Sequence, residues 1–273
     1  MTGLVEREQF SQARRVVVKV GSQLLAREDG LPDEDRVQVL AKEIARMVAR
    51  VVEVVLVSSG AIAYGRQALE WAEARSVPES QMLASVGQAL LIEAHRRAMA
   101  NHGVKIGQVL LTHRDISHRG SYLNASTTLR TLLGNKVVPV INENDAVGHE
   151  EIRFGDNDML AALVAVMVEA DLLILLTQPD GLYDDDPASS PGAARVRYVK
   201  ADQELDDKLK LDRKSALGTG GMASKLSAAQ VAGRGGVPVV ISSGQQPKPI
   251  GRIIEGQDVG TLVAPARAPM VRK

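Results

Sequence analysis

The stretch Leu172-Leu173-Ile174-Leu175-Leu176-Thr177 is apolar at every position before the threonine, with no alternation of apolar and polar side chains. A strand of this composition is typical of a sheet that helices cover on both faces, because neither face then meets water. Similar short runs, mostly rich in β-branched residues, recur along the chain. The predicted strands are Arg15 to Val20, Val54 to Ser58, Lys105 to Leu111, Val137 to Asn142, Leu172 to Thr177, Val237 to Ser242 and Thr261 to Val263.

Helical patterns separate these runs. Val37, Leu40 and Ile44 recur at intervals that place them on one helix face. The alternation of strands and helices predicts an α/β protein built on a mainly parallel sheet. The polar segment 178–212 is predicted to be a surface excursion or a small β-structure. Because no long Gly/Ser-rich or Pro-rich linker and no repeat is visible, we expect a single domain over residues 1–273.

The composition excludes several classes of function. Lys and Arg number 33 and Asp and Glu 33, so the formal charge is zero, and aromatic residues are 3%. We therefore expect no nucleic-acid partner, because neither bulk positive charge nor many stacking platforms are available. The absence of cysteine excludes disulfides, thiolate zinc sites and cysteine nucleophiles. The chain start does not look like a secretory signal, and the longest apolar run, Met159 to Val168, is too short to cross a bilayer, so we expect a cytoplasmic protein without a membrane partner.

Polar residues follow the predicted strands, at the edge where open α/β sheets bind ligands. Lys19 stands at the end of the first strand, and Ser59-Gly60 follows the second. The fourth strand leads into Asn142-Glu143-Asn144-Asp145, and Gly155-Asp156-Asn157-Asp158 opens the next helix. Taken alone, each of these motifs could have a purely structural role. Lys19 could be a strand end that faces solvent, Ser59-Gly60 could cap a helix, and the acids of the Gly155 to Asp158 stretch could compensate a helix dipole.

The stretch Gly218-Thr219-Gly220-Gly221-Met222-Ala223-Ser224-Lys225 also precedes a predicted helix. Its three glycines lie within four positions, which lets backbone N–H groups approach an anion at the helix start. It is not a Walker A loop, because Lys225 lies four residues past the last glycine. It also lacks the preceding strand and the ribose-binding acid of a dinucleotide fingerprint.

Other catalytic arrangements have little support. The five histidines show no metal-ligand spacing and are expected mostly at the surface or at helix caps, so we predict no protein metal site. His113-Arg114-Asp115 imitates a protein-kinase catalytic loop, but Gly120 stands where the metal-binding Asn belongs. Ser58-Ser59-Gly60 lacks the leading glycine of a nucleophile elbow, which disfavours acyl hydrolysis.

Phosphoryl transfer from a nucleotide fits the remaining residues. Lys19, Lys225 and the glycine-rich loop can supply the cations and N–H groups that phosphate oxygens need. An ionised carboxylate, with a pKa of about 4.3, is an acceptor that requires no general base. Catalysis then reduces to holding two anions in line while cations cancel their repulsion.

Several stretches carry a resemblance to a known family. They are Val18-Lys19-Val20-Gly21-Ser22, Val57 to Ala63, Pro139 to Asp145, Phe154 to Asp158, Leu176-Thr177 with Asp180 to Tyr183, and Gly218 to Lys225. In this order they resemble the amino-acid kinase family over about residues 14–263. Asn-Glu-Asn-Asp, Gly-Asp-Asn-Asp and Gly-Thr-Gly-Gly-Met together are specific to the members that phosphorylate L-glutamate.

The resemblance implies a three-layer αβα fold with a mainly parallel central sheet of about eight strands between helices. It implies a transferase that phosphorylates the γ-carboxylate of L-glutamate with ATP in the first step of proline biosynthesis, with Mg²⁺ carried mainly by the nucleotide. Feedback inhibition by proline and a homo-oligomer, either dimer or tetramer, are family traits. Many relatives add a C-terminal PUA domain, which we expect this chain to lack.

The motifs and the physical reading together assign three roles. Lys19 and Lys225 are expected to be catalytic, with Asp158 orienting both through charge-assisted hydrogen bonds. The expected glutamate-binding residues are Ser59, Gly60, Asp145, Asp156 and Asn157. The expected nucleotide-binding residues are Lys19, Thr177, Gln178, Thr219, Gly220, Gly221, Met222, Ala223, Ser224 and Lys225.

Two alternatives stay open. Gln178 stands where the family usually has Asp, which is the one feature in favour of a non-catalytic nucleotide or amino-acid sensor of the same fold. The other alternative is a kinase of another small anion, such as acetylglutamate, aspartate, carbamate or UMP. Asn142-Glu143-Asn144-Asp145 favours free glutamate, and the intact Lys19, Asp158 and Lys225 favour an enzyme.

Overall fold

The computed structural model of the chain describes residues 6–148, 157–185, 190, 192–202 and 221–266. Contacts between Cα atoms divide the chain into two compact units. The terminal unit consists of Met1–Lys19 and Asp158–Lys273, and the middle unit of Val20–Asn157. Our expectation of a single domain stays a prediction.

The described residues form strands and helices in alternation. The strands are β1 (Arg15–Val20), β2 (Glu53–Ser58), β3 (Lys105–Leu111), β4 (Val137–Glu143), β5 (Leu172–Thr177), β6 (Leu182–Tyr183), β7 (Arg195–Val196), β8 (Tyr198–Lys200), β9 (Val239–Ser243) and β10 (Thr261–Ala264). The α-helices are α1 (Glu34–Ala49), α2 (Ala61–Leu69), α3 (Val77–Ala100), α4 (His113–Ser117), α5 (Arg119–Gly134), α6 (Asn157–Met167), α7 (Met222–Arg234) and α8 (Pro249–Ile254). Two 3-10 helices cover Arg7–Gln12 and Ser22–Leu24. Within the part of the chain that is described, no helix has the length and apolar character needed to cross a membrane.

The middle unit contains a parallel sheet in the order β3-β4-β2. Leu56 on β2 pairs with Val140 on β4, which pairs on its other side with Gln108 on β3. Asp33 caps α1, because its side chain accepts a hydrogen bond from the Arg36 N–H. Since all three strands are parallel, the polar residues that follow β2 and β4 lie at one edge of this sheet.

Two glycines bring α2 and α3 into close contact. A Cβ atom on Gly87 would lie 1.8 Å from the carbonyl oxygen of Ala61, and one on Gly65 would lie 2.0 Å from that of Leu83. Real atoms do not approach so closely, so only glycine permits the observed helix spacing. This contact places α3 directly against the turn between β2 and α2.

The terminal unit contains a second set of strands, in the order β1-β5-β9-β10-β8. β5 and β9 are parallel, β10 is antiparallel to β9, and β8 is parallel to β10. The strand Leu172–Thr177 is buried along its whole length, as its composition predicts. The short strands β6 and β7 form a separate antiparallel pair.

The predicted fold class is confirmed: the eight strands, three in the middle unit and five in the terminal unit, make a mainly parallel α/β arrangement flanked by helices. The bounds of β1, β3 and β5 are those predicted. β9 begins at Val239 rather than at the predicted Val237, since Pro238 has no N–H group to donate to a neighbouring strand. β8 lies in the polar segment 178–212, where the sequence predicts no more than a small β-structure.

An arginine clasp joins the 3-10 helix Arg7–Gln12 to the turn before β10. Arg7 donates from Nη1 to the carbonyl oxygen of Val259 at 2.5 Å and from Nη2 to that of Gly260 at 2.9 Å. Arg195 also donates to the Gly260 carbonyl, and Arg7, Arg195 and Arg197 all form ion pairs with Asp258. The clasp therefore consists of Arg7, Arg195, Arg197 and Asp258.

Candidate active site

Three buried charged side chains meet in the terminal unit. Lys19 Nζ on β1 lies 2.6 Å from Asp158 Oδ1 on α6, and Lys225 Nζ on α7 lies 2.9 Å from Asp158 Oδ2. The exposed fractions of Lys19, Asp158 and Lys225 are 2%, 0% and 7%. The structure thus brings together the two lysines and the acid that the sequence assigns to catalysis. Two ammonium groups share one carboxylate, which leaves one positive charge in excess within the trio.

Burial strengthens the electrostatic effect of the two lysines. Ionised groups are costly to remove from water unless they are paired, so a shared carboxylate is the condition for burying two lysines. At low local dielectric the remaining positive charge attracts an anion more strongly than it would in water. The trio is therefore suited to hold and stabilise a phosphoryl group.

The start of α7 carries the last part of the glycine-rich loop. Gly221 has an extended backbone and caps the helix, and its carbonyl accepts from the N–H and the hydroxyl of Ser224. The first N–H groups of an α-helix have no acceptor within the helix, so those of Met222 and Ala223 are available to an anion. Lys225 projects from this same first turn. The predicted nucleotide-binding residues Thr219 and Gly220 lie outside the described residues.

Thr177 and Gln178 lie at the carboxyl end of β5. The Thr177 carbonyl accepts from the Gly244 N–H at 2.8 Å, and the Gln178 carbonyl accepts from the Ser243 hydroxyl at 2.8 Å. These bonds tie the ends of β5 and β9 together. Thr177 is buried, whereas the Gln178 side chain is exposed. Gln178 stands where the family usually has Asp. Because the Gln178 side chain is exposed, this difference does not alter the packing at the carboxyl end of β5.

A second group of predicted residues forms a hydrogen-bonded network in the middle unit. Asn157 donates from Nδ2 to Ser59 Oγ at 2.7 Å and to Asn142 Oδ1 at 2.8 Å. The Glu143 N–H donates to Asn142 Oδ1 at 2.9 Å and to Asn157 Oδ1 at 3.3 Å. Asn142 in turn donates from Nδ2 to Gln88 Oε1 at 2.8 Å. The network fixes the orientation of both asparagine amides next to the end of β2.

The turn after β2 is shaped for close approach to its backbone. The Ser59 N–H donates to the Val20 carbonyl at 3.2 Å, and Gly60 adopts φ of +121°, which residues with a Cβ rarely adopt. Among the described residues, a Cβ on Gly60 would meet only Leu91, at 3.9 Å. The N–H groups that open α2 have no acceptor within the helix.

Asp145 lines a cavity in the middle unit. The cavity has a volume of about 330 Å³ and is also lined by Glu143, Gln88 and Ser85, among others. Carboxylates in such a cavity attract an ammonium group. Asp156, the second acid that we expect near the substrate ammonium, lies outside the described residues. A larger cavity of about 360 Å³ between α1 and α3 contains none of the predicted residues.

Sequence reasoning missed three contributors to this region. Gln88 and His95 lie on α3 and Asn142 lies on β4, and the sequence pattern assigns none of the three side chains a role. His95 is fully buried, unlike the surface or cap position expected for most histidines, and burial lowers its pKa to about 4. A polar residue within the apolar face of a predicted helix is the signal that marks Gln88 and His95, but it does not reveal their partners.

Comparisons with known proteins found similar sequences. The model of the amino acid kinase family matches residues 14–243. Glutamate 5-kinase from Trichlorobacter lovleyi is 46% identical over 94% of this chain and 69% of its own length. The enzyme of the same name from Chromohalobacter salexigens is 47% identical over 98% of this chain and 71% of its own.

The fold comparison gives a consistent result. The crystal structure of UMP kinase from Bacillus anthracis covers 92% of this chain and 96% of its own, with a TM-score of 0.62 and 20% identity. UMP kinase from Ureaplasma parvum gives the same TM-score with 16% identity. At these identities the likeness concerns the fold and not the substrate.

Proposed function

Because this chain belongs to the amino acid kinase family and, within it, to the glutamate 5-kinases, we propose that it transfers the γ-phosphoryl group of ATP to the γ-carboxylate of L-glutamate. The products are ADP and L-glutamyl 5-phosphate, the first step of proline biosynthesis. The observation that carries the proposal is the buried trio of Lys19, Asp158 and Lys225.

The trio stabilises the charge that is transferred. The γ-phosphoryl group carries negative charge on its oxygens throughout the reaction, and the two ammonium groups lower its energy most when it lies between the departing and the attacking oxygen. Asp158 accepts from both lysines and so holds their Nζ atoms in fixed positions. The preorganised ammonium groups need not rearrange during the transfer.

The nucleotide would bind at the carboxyl ends of β5 and β9 and at the start of α7. The proposed ligands are the backbone around Thr177 and Gln178 and the loop residues Thr219, Gly220, Gly221, Met222, Ala223, Ser224 and Lys225. No cluster of three or more His, Cys, Asp or Glu suited to a metal ion occurs among the described residues, and Asp158 is engaged by two cations. We propose that a magnesium ion arrives on the ATP phosphates, where it would neutralise their charge.

The acceptor would bind to the network of the middle unit. We assign the γ-carboxylate to the Gly60 N–H and to the Ser59 hydroxyl, whose oxygen accepts from Asn157, and the α-ammonium to Asp145 and Asp156. A carboxylate oxygen attacks the γ-phosphorus while the bond to the β,γ-bridging oxygen breaks, and that oxygen leaves with ADP. Since the acceptor is already ionised at pH 7, no proton has to be removed and no general base is needed.

The test is a substrate panel. The full chain is incubated with ATP, Mg²⁺ and one acceptor at a time, hydroxylamine traps any acyl phosphate, and ADP release is measured in parallel. The acceptors are L-glutamate, acetylglutamate, aspartate, carbamate and UMP. We expect a hydroxamate and a matching amount of ADP with L-glutamate alone.

The panel also separates the alternatives. ADP release with another acceptor and not with glutamate would replace the proposal by a kinase of that anion, and ADP release with none would favour a sensor. A Lys225→Ala protein, purified in the same way, controls for contaminating kinases because it lacks one cation of the trio.

A further inference from the structure

A fully buried histidine lies beneath the turn that we assign to the glutamate carboxylate. His95 on α3 and Ser58 at the end of β2 both have an exposed fraction of 0%, and His95 Nε2 lies 2.8 Å from Ser58 Oγ. Ser58 Oγ also lies 3.3 Å from the carbonyl oxygen of Ser59. Next to His95 in the sequence, Ala94 packs in a buried apolar cluster with Leu91, Ala61 and Tyr64, which fixes α3 against α2.

The surroundings of the ring determine its protonation and tautomer. Burial lowers the pKa of His95 to about 4, so the imidazole is neutral at pH 7. Its Nδ1 atom has no hydrogen-bond partner within the described part of the chain. If the proton is on Nε2, Nδ1 carries only an unpaired acceptor lone pair. The Ser58 hydroxyl can then donate to the Ser59 carbonyl oxygen. A proton on Nδ1 would bury an N–H without an acceptor and take the Ser58 donor away from that carbonyl.

The favoured arrangement is a relay of two hydrogen bonds. His95 donates from Nε2 to Ser58 Oγ, and Ser58 donates to the Ser59 carbonyl. In a trans peptide the C=O and the following N–H point in opposite directions, so holding the Ser59 carbonyl also sets the direction of the Gly60 N–H. The adjoining Ser59 hydroxyl is held separately by Asn157 at 2.7 Å.

From this relay we infer that His95 is a positioning residue for the acceptor site: acting through Ser58, it orients the Ser59–Gly60 peptide so that the Gly60 N–H meets the substrate carboxylate. The inference rests on the proposed function, since it names a residue that prepares the same site. His95 itself does not touch the substrate, and the reaction needs no proton from it.

Three variants test the relay by steady-state kinetics of the full chain. His95→Phe keeps a ring of similar size but removes the donor, and Ser58→Ala removes the middle of the relay. Each is expected to raise KM for L-glutamate about tenfold, the effect of losing about one well-placed hydrogen bond, and to leave KM for ATP unchanged. His95→Gln offers an amide N–H in place of Nε2–H and is expected to recover KM to within about threefold of the wild type.

The double variant His95→Phe with Ser58→Ala checks that the two residues act in sequence. Because either change alone breaks the relay, the double variant should be no worse than the single ones. Met99→Ala, one turn along α3 and equally buried, is the packing control: it should lower the unfolding midpoint without raising KM for L-glutamate.

The outcomes are distinct. A wild type that is active on glutamate, with His95→Phe and Ser58→Ala showing the wild-type KM, overturns the role of His95 and leaves the proposed function intact. An equal rise of KM in Met99→Ala, or no recovery in His95→Gln, reduces His95 to a packing residue and also overturns the inference. A wild type that forms no hydroxamate with glutamate overturns both.

Discussion

Lys225 places its Nζ atom 2.9 Å from Oδ2 of Asp158, in a setting where neither side chain has appreciable access to water. Asp158→Asn keeps the shape of the side chain but removes the charge that allows two ammonium groups to be buried together. We expect turnover to fall about 10³-fold and the free energy of unfolding to fall by about 3–5 kcal/mol, as when a buried ion pair loses one partner. Hydroxamate formation and urea unfolding measure the two effects.

The matched control for that variant is Asp29→Asn. Asp29 forms an exposed ion pair with Arg27, and exposed pairs contribute about 1 kcal/mol or less. If Asp158→Asn changed stability no more than Asp29→Asn, Asp158 would not be the charge that permits the burial of both lysines.

Lys19→Ala is predicted to lower turnover about 10³-fold while the protein still folds, because it removes a cation from the phosphoryl group and leaves Asp158 paired with Lys225. Lys200→Ala, which alters an exposed lysine of the same unit, should retain wild-type turnover. Near-normal turnover of Lys19→Ala would remove Lys19 from the mechanism.

Gly87→Ala should separate α2 from α3. The new Cβ would lie 1.8 Å from the Ala61 carbonyl oxygen, so one helix must shift, and we expect a loss of about 3 kcal/mol or more in the free energy of unfolding. Gly134→Ala is the control, since no described residue lies within 4 Å of its added Cβ and alanine favours the helix by about 0.5–1 kcal/mol. Chemical denaturation of the two variants should give changes of opposite sign.

Asp258 makes part of the stability depend on pH. Partial burial raises its pKa, but the hydrogen bond from Arg197 and the charges of Arg195, Arg197 and Arg7 outweigh that effect and hold the pKa below its usual value. A carboxyl whose folded-state pKa is depressed stabilises the protein above the unfolded-state pKa and loses this contribution as the pH falls through the folded-state value.

The unfolding midpoint of the wild type should therefore exceed that of Asp258→Asn at pH 7, and the difference should shrink as the pH falls below about 4. Asp202→Asn, at an exposed position of the same unit, should show a smaller difference. A difference for Asp258→Asn that stays constant from pH 7 to pH 3 would contradict this account.

Local patterns were sufficient for the sheet strands because those strands are short, apolar and bounded by polar residues. The sequence places β1, β3 and β5 at their observed bounds. The sequence predicts a strand less well where the strand forms only because a neighbouring strand pairs with it. β8 has three residues and exists as a strand because β10 lies beside it, and nothing in Tyr198-Val199-Lys200 alone indicates that neighbour.

Sequence motifs likewise identify some residues of the candidate site and miss others. Lys19, Asp158 and Lys225 were recognisable because motifs mark them, and all three fall within one unit. Gln88 and His95 have no motif, since their roles come from hydrogen bonds between α3 and the ends of β4 and β2. Tertiary contacts of this kind cannot be deduced from the periodicity of one helix.

The arginine clasp has a consequence for how the protein is made. Arg7 donates to the carbonyl of Val259, which is 252 positions later in the chain, so Arg7 cannot form this bond until residue 259 has been synthesised. At a synthesis rate of about 5–20 residues per second, that delay is on the order of 10–50 s. During that interval the 3-10 helix Arg7–Gln12 lacks the contacts that hold it to the turn before β10.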